Sequence, residues 1–311
     1  MWARIQLSAM NTQLEARRKM RKAIHGFSLL IALLVVVVSG VGLFWTDGGA
    51  PFAVKSVYGN EIELFGSGIY KNDNVFLAPI FRGTDCVMLF IAAPLLLLFT
   101  YQDRKRHSLG SLLRLVSLLF VVLYYAVNLA FGVVFNALHL AYTSLLSLSL
   151  FAMVAGIQEL RNEYEKGFST SFRATLGLKL FVIASGVMLF VAWLPDIITA
   201  HVSNKPLSYL ENYTTSVTYI VDMGFLSPLL FLSLYLLKKN AFYGTCLLSP
   251  LLILSMMISV ILPFQTWFQL QAGIDIALPE LLTKVIGFLV LAVFAAYFNR
   301  KLYKGISLKG I

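Results

Sequence analysis

The sequence predicts an all-α polytopic membrane protein. Eight transmembrane helices form two parallel four-helix repeats, with a small β-hairpin in the first extracytoplasmic loop. Three observations carry this expectation. The chain holds eight apolar runs of about 20 residues, the length a helix needs to cross a bilayer. Of its 25 basic residues, 20 fall on one side of those runs. Short fragments of the first half recur, in order, in the second. A chain that is 59% hydrophobic and 13% charged fits no soluble globular class. Its apolar runs are continuous rather than alternating, which excludes a transmembrane barrel.

A basic segment, 1–23, leads into span one, Ile24–Phe44. Bulky Leu43, Phe44 and Trp45 close that run, so it reads as a retained anchor rather than a cleaved signal. Spans two, three and four are Thr84–Tyr101, Leu109–Leu129 and Ala137–Ile157. They complete a first half at 24–160, which includes the long extracytoplasmic loop 46–81. In that loop Val54-Lys55-Ser56-Val57-Tyr58 and Glu61-Ile62-Glu63-Leu64-Phe65 flank Gly59-Asn60, a hairpin on a two-residue turn. A linker, 161–175, opens the second half, 176–298. Its spans are Leu176–Leu194, Val217–Leu237, Gly244–Leu262 and Leu281–Phe298. A basic tail, 299–311, follows.

The net charge of +10 is distributed for a membrane and not for a nucleic acid, so no nucleic-acid partner is expected. Arg4, Arg17, Arg18, Lys19, Arg21 and Lys22 precede span one. Arg104, Lys105, Arg106 and Arg114 flank the connection between spans two and three. Arg161, Lys166, Arg173 and Lys179 lie between four and five, Lys238 and Lys239 between six and seven, and four more form the tail. Only Lys55, Lys71, Arg82, Lys205 and Lys284 fall on the other side. The positive-inside rule then places both termini in the cytoplasm. Cys86 and Cys246 fall near opposite faces, which excludes a disulfide within the chain.

The repeat rests on short fragments that recur in the same order, among them Gly110-Ser111-Leu112-Leu113 with Gly244-Thr245-Cys246-Leu247-Leu248. Ser39-Gly40-Val41-Gly42-Leu43-Phe44 matches Ser185-Gly186-Val187-Met188-Leu189-Phe190, and Ala93-Pro94-Leu95-Leu96 matches Ser227-Pro228-Leu229-Leu230. Pro94 to Gly110 spans the same distance as Pro228 to Gly244. Both halves begin inside, so the repeats are parallel, and binding sites in such proteins lie where the halves meet. Pro94 and Pro228 each remove a hydrogen bond within a span, freeing the carbonyls of Phe90 and Gly224.

Polar residues gather towards the outer side. Arg82 and Asp85 sit one turn apart at the head of span two, where Thr84 and Asp85 suit an N-terminal cap. Pro279, Glu280 and Lys284 suit the same role at span eight. Asp222 lies deeper in span six and shares a face with Thr218. A buried carboxylate is costly unless paired, hydrogen-bonded or protonated. Asn136, His139, Thr143 and Ser147 form one face of span four, expected to line the bundle interior and to meet Asp222. Tyr124 and Asn128 of span three are expected to join them. The candidate binding set is therefore Asp222, His139, Asn136, Asp85, Arg82, Thr143, Thr218, Asn128 and Tyr124.

No nucleotide, hydrolase or zinc-protease motif is present, and the four histidines divide between the two faces. No cofactor and no resident metal is expected, although a His139, Asp85 and Asp222 cluster is geometrically open. Gly68-Ile69-Tyr70, Arg82-Gly83-Thr84-Asp85, Pro94-Leu95-Leu96 and Phe135-Asn136-Ala137-Leu138-His139-Leu140-Ala141-Tyr142, with Ser147-Leu148-Ser149, resemble a bacterial family of uncharacterised eight-span integral membrane proteins. The resemblance covers mainly spans two to four and six. It implies a topology and no activity. The leading expectation is a multi-pass protein of the bacterial cytoplasmic membrane that binds, and in its fuller form transports, a small polar or cationic solute between its halves. Its other partner is the lipid bilayer. A membrane enzyme acting on a lipid-linked or periplasmic substrate, and a sensor or assembly factor using the outer loop, are the alternatives.

Overall fold

The computed structural model describes the backbone of residues 2–308 apart from 57, 166–167, 171, 208–209 and 277. Side chains are described for 19–306 apart from those positions, 168–169 and 278–285. Among the described residues, eight helices are long and apolar enough to cross a membrane. They are α1 (Trp2–Phe44), α2 (Leu77–Arg106), α3 (Leu109–Gly132), α4 (His139–Tyr164), α5 (Leu176–Ser203), α6 (Val217–Lys239), α7 (Ala241–Gln271) and α8 (Leu278–Gly305). Most continue past the expected apolar runs, because backbone hydrogen bonding carries a membrane helix on into its polar flanks.

Helices α1 to α4 pack in sequence, and α4 returns to α1. Helices α5 to α8 pack in the same way, with α8 touching α5. The two groups meet where α7 packs on α2 and α3, and where α3 meets α6. The α2–α7 contact needs Gly83: a Cβ there would lie 2.5 Å from the Gln265 Cα. The Gln265 amide then donates to Thr84 Oγ1 at 2.8 Å.

The spans that carry Pro94 and Pro228 are interrupted in the same way. Helix α2 has a π-helical turn at Met88–Ala92, and α6 has one at Asp222–Leu226. The residue before each proline donates five residues back, Ala93 N–H to Met88 O and Ser227 N–H to Asp222 O. Widening the turn accommodates the ring without leaving the backbone unpaired in an apolar setting.

At the end of the bundle that carries the chain termini, a polar lock closes the first four helices. The Arg21 guanidinium of α1 donates to Asp103 of α2 at 2.6 and 3.0 Å and to Glu163 of α4 at 3.3 Å. His25 Nε2 and Ser111 Oγ reach the Asp103 carboxylate at 2.8 and 2.7 Å. Ser111 also completes a capping box with Ser108 at the start of α3.

Three local expectations change. Strand β1 (Phe52–Lys55) pairs antiparallel with β2 (Glu61–Leu64), Lys55 facing Glu61. The turn is longer than the two residues expected, since Ser56 N–H bonds Asn60 O at 2.7 Å and Gly59 takes φ +85°. A left-handed glycine closing a three-residue loop is a standard hairpin alternative. Thr84 and Asp85 do not cap span two. The helix starts at Leu77, whose N–H donates to the Asn74 side chain at 2.7 Å, and Thr84 bonds the Ile80 carbonyl within the helix. A second short sheet, β3 (Phe168–Thr170) with β4 (Ile306–Leu308), ties the α4–α5 linker to the tail and was not expected. The Pro279, Glu280 and Lys284 set lies outside the described side chains.

Candidate functional site: two buried carboxylates

Asp85 and Arg82, adjacent on one helix, part company. The Arg82 guanidinium turns towards the loops. It donates to the Leu43 carbonyl at the end of α1 at 3.1 Å and lies 5.3 and 6.0 Å from the ring centres of Phe268 and Phe65. Asp85 turns into the bundle and is fully buried. Tyr125 Oη of α3 donates to its Oδ1 at 2.5 Å, and Tyr70 Oη from the loop donates to its Oδ2 at 2.6 Å. Tyr142 of α4 is buried beside this cluster and receives the Asn136 amide at 3.3 Å. Gly42 makes the space: a Cβ there would stand 1.9 Å from Asp85 Oδ2.

Asp222 opens the π-turn of α6 and is 4% exposed. Tyr124 Oη donates to its Oδ1 at 3.2 Å and Trp193 Nε1 of α5 donates to its Oδ2 at 3.0 Å. Trp193 stacks on Tyr219 at 4.3 Å, and the Tyr219 hydroxyl donates to Asp196 at 2.7 Å. One turn nearer the helix start, Thr218 donates to Asn128, whose amide bonds the Tyr124 carbonyl. Consecutive tyrosines of α3 thus serve the two carboxylates, one on each interrupted helix. Among the described residues neither carboxylate is ion-paired. Their donors are neutral aromatic side chains.

The structure brings together part of the expected set: Asp222, Tyr124, Asn128 and Thr218. It separates the rest. The span-four stripe does not meet Asp222. His139, Thr143 and Ser147 are exposed on the outer face of α4, with His139 against Phe135 at 5.1 Å. Thr143 bonds the His139 carbonyl at 2.9 Å, the internal pairing that lets a threonine sit on an apolar face. Asn136 serves the Asp85 cluster instead. His139, Asp85 and Asp222 do not gather, and the described residues hold no cluster of three potential metal-ligating side chains. Tyr70, Tyr125, Tyr142 and Trp193 were missed, because aromatic residues in and beside apolar runs read as span or loop packing.

Above the carboxylates the two long loops are stitched together. Tyr213 Oη donates to Asp73 Oδ1 at 2.6 Å, and Val134 N–H reaches the same oxygen at 2.9 Å. The Asn212 amide donates to the Asn72 carbonyl at 2.9 Å. Asp73 Oδ2 is buried with no partner. Burial pushes the Asp73 carboxyl up to about 7, against the lowering effect of its two donors. The same burial, then the neighbouring Asp73 charge, pushes the Tyr213 hydroxyl up as well. A raised carboxyl contributes stability that is complete below its unfolded value near 3.8 and is lost as pH rises through about 7. The stitched loops should therefore protect backbone amides near Tyr213 from hydrogen exchange better at pH 5.5 than at pH 8, after correction for intrinsic rates. The limiting slope is about 1.4 kcal/mol per pH unit. Asp73→Asn should flatten that dependence, and an unchanged slope would remove Asp73 as its source.

Comparison with known proteins finds no matching family model, no similar curated protein and no similar solved structure.

Proposed function

We propose that this is a protein of the bacterial cytoplasmic membrane, with both termini in the cytoplasm, that binds a small cationic solute between its two halves towards the outer face. The observation that carries the reading is the Asp222 site. It is a carboxylate buried at the junction of α3, α5 and α6, held only by neutral donors and walled by Trp193, Tyr219 and Tyr124. An uncompensated carboxylate inside a membrane protein is costly and marks an ion or substrate pathway. Aromatic faces beside it add attraction for an organic cation. The two π-turns support an extension to transport, because interrupted helices at binding sites provide hinges in carriers.

Two parallel repeats are part of the same reading. The cyclic packing of α1 to α4 and of α5 to α8 supports it, as do the matching π-turns ahead of Pro94 and Pro228. Superposing the first four helices on the last four should align Pro94 with Pro228 and Gly40 with Gly186. Orientation is tested by single cysteines in a background lacking Cys86 and Cys246. Asn60→Cys should be labelled from outside intact cells, whereas Lys105→Cys and Lys239→Cys should need permeabilisation. External labelling at 239 would contradict the arrangement. The binding claim itself is tested by loss of cation affinity in Asp222→Asn.

A further inference from the structure

The described cations at the terminal end of the bundle do not all point to bulk water. Where α3, α7 and α8 meet there is a cavity of about 370 Å³, lined by Arg114, Asn299, Arg300, Tyr303 and Lys304, with Met256 and Ala296 on its apolar wall. A cationic side chain near a helix end ordinarily snorkels outward along the helix. Arg114 instead lies over the ring of Tyr303 at 4.7 Å. Tyr303 is fixed in turn, its hydroxyl 2.8 Å from Ser249 Oγ, which is 2.9 Å from Ser117 Oγ. Among the described residues, none of Arg114, Arg300 and Lys304 is paired with a carboxylate. The Asn299 side-chain oxygen is buried with no partner.

We propose that this cavity binds the phosphate headgroup of an anionic lipid. Three cations around one concavity repel one another unless an anion joins them. The guanidinium fork matches phosphate oxygens. Basic pockets between membrane helices at the cytoplasmic side suit such headgroups, and the volume is that of a small-ligand site. Met256 and Ala296 offer apolar surface for the start of an acyl chain. A headgroup hydroxyl supplies the donor that the Asn299 oxygen lacks. The site is separate from the Asp222 junction and does not depend on the solute-binding reading.

The test uses the purified full-length chain in detergent, so its outcome does not depend on orientation. Native mass spectrometry with equal amounts of phosphatidylglycerol and phosphatidylcholine should show at least about a tenfold preference for the anionic lipid. Lys304→Gln, at an exposed residue, should lower that affinity roughly fivefold, and Arg300→Gln with Lys304→Gln about 30-fold. Arg114→Lys keeps the charge but loses the planar fork, so it should weaken the preference less than the double variant does. Millimolar inorganic phosphate should leave the lipid bound. Equal retention of both lipids, or undiminished preference in Lys304→Gln and the double variant, would overturn the proposal. Displacement of the lipid by inorganic phosphate alone would overturn it in favour of a free-anion site.

Discussion

Asp103→Ala is expected to lower unfolding stability by about 3–5 kcal/mol, the range for removing one partner from a buried ion pair. Asp103 is fully buried and gathers Arg21, His25 and Ser111 from α1 and α3. Deleting the carboxylate leaves the Arg21 guanidinium buried with only Glu163 at 3.3 Å and the Ser108 carbonyl at 3.1 Å. Removing both charges should do less harm than removing one, because the desolvation penalty then disappears from both sides. Arg21→Met with Asp103→Leu should therefore recover part of the loss. Denaturant unfolding in one detergent checks this. A single-variant effect below about 1 kcal/mol would assign the lock to the class of solvated ion pairs.

Much of the bundle was legible because hydropathy reports what a bilayer demands of a helix. The eight runs coincide with the eight helices, and Pro94 and Pro228 fall where the helices are interrupted. Asp222 was legible as an inward residue, since a carboxylate at that depth has few tolerable surroundings. The α4 stripe was not legible. Helical spacing groups Asn136, His139, Thr143 and Ser147 on one side but does not say which side meets a neighbour, and a hydroxyl that bonds its own backbone needs none. Asp85 looked like a cap because the polar start of α2 was hidden. Asn74, which accepts from the first N–H of that helix, lies in a loop whose path depends on contacts with the second half. Asp73 was not singled out for the same reason: its hydrogen-bond partners, Val134 and Tyr213, lie far along the chain, Tyr213 140 positions away.

The claim of a cation site stands or falls on Asp222. Asp222→Asn keeps the shape of the side chain and removes its charge. One of its two positions can still accept from Tyr124 or Trp193, so the fold should survive with a modest loss. Asp222→Leu removes both acceptors and leaves the Trp193 N–H and the Tyr124 hydroxyl without them, which should lower thermal stability further. Charge is what the proposed solute needs, so both variants should lose binding, by about 30-fold or more for a truncated buried charge pair. Trp193 donates to this carboxylate and reports on it directly. The decisive measurement is a fluorescence titration of the purified protein with sodium, guanidinium and tetramethylammonium, wild type beside Asp222→Asn. Saturable quenching by at least one of these cations, lost in the folded Asn variant, is the predicted result. No response to any of them, or equal affinity in wild type and Asp222→Asn, would contradict it.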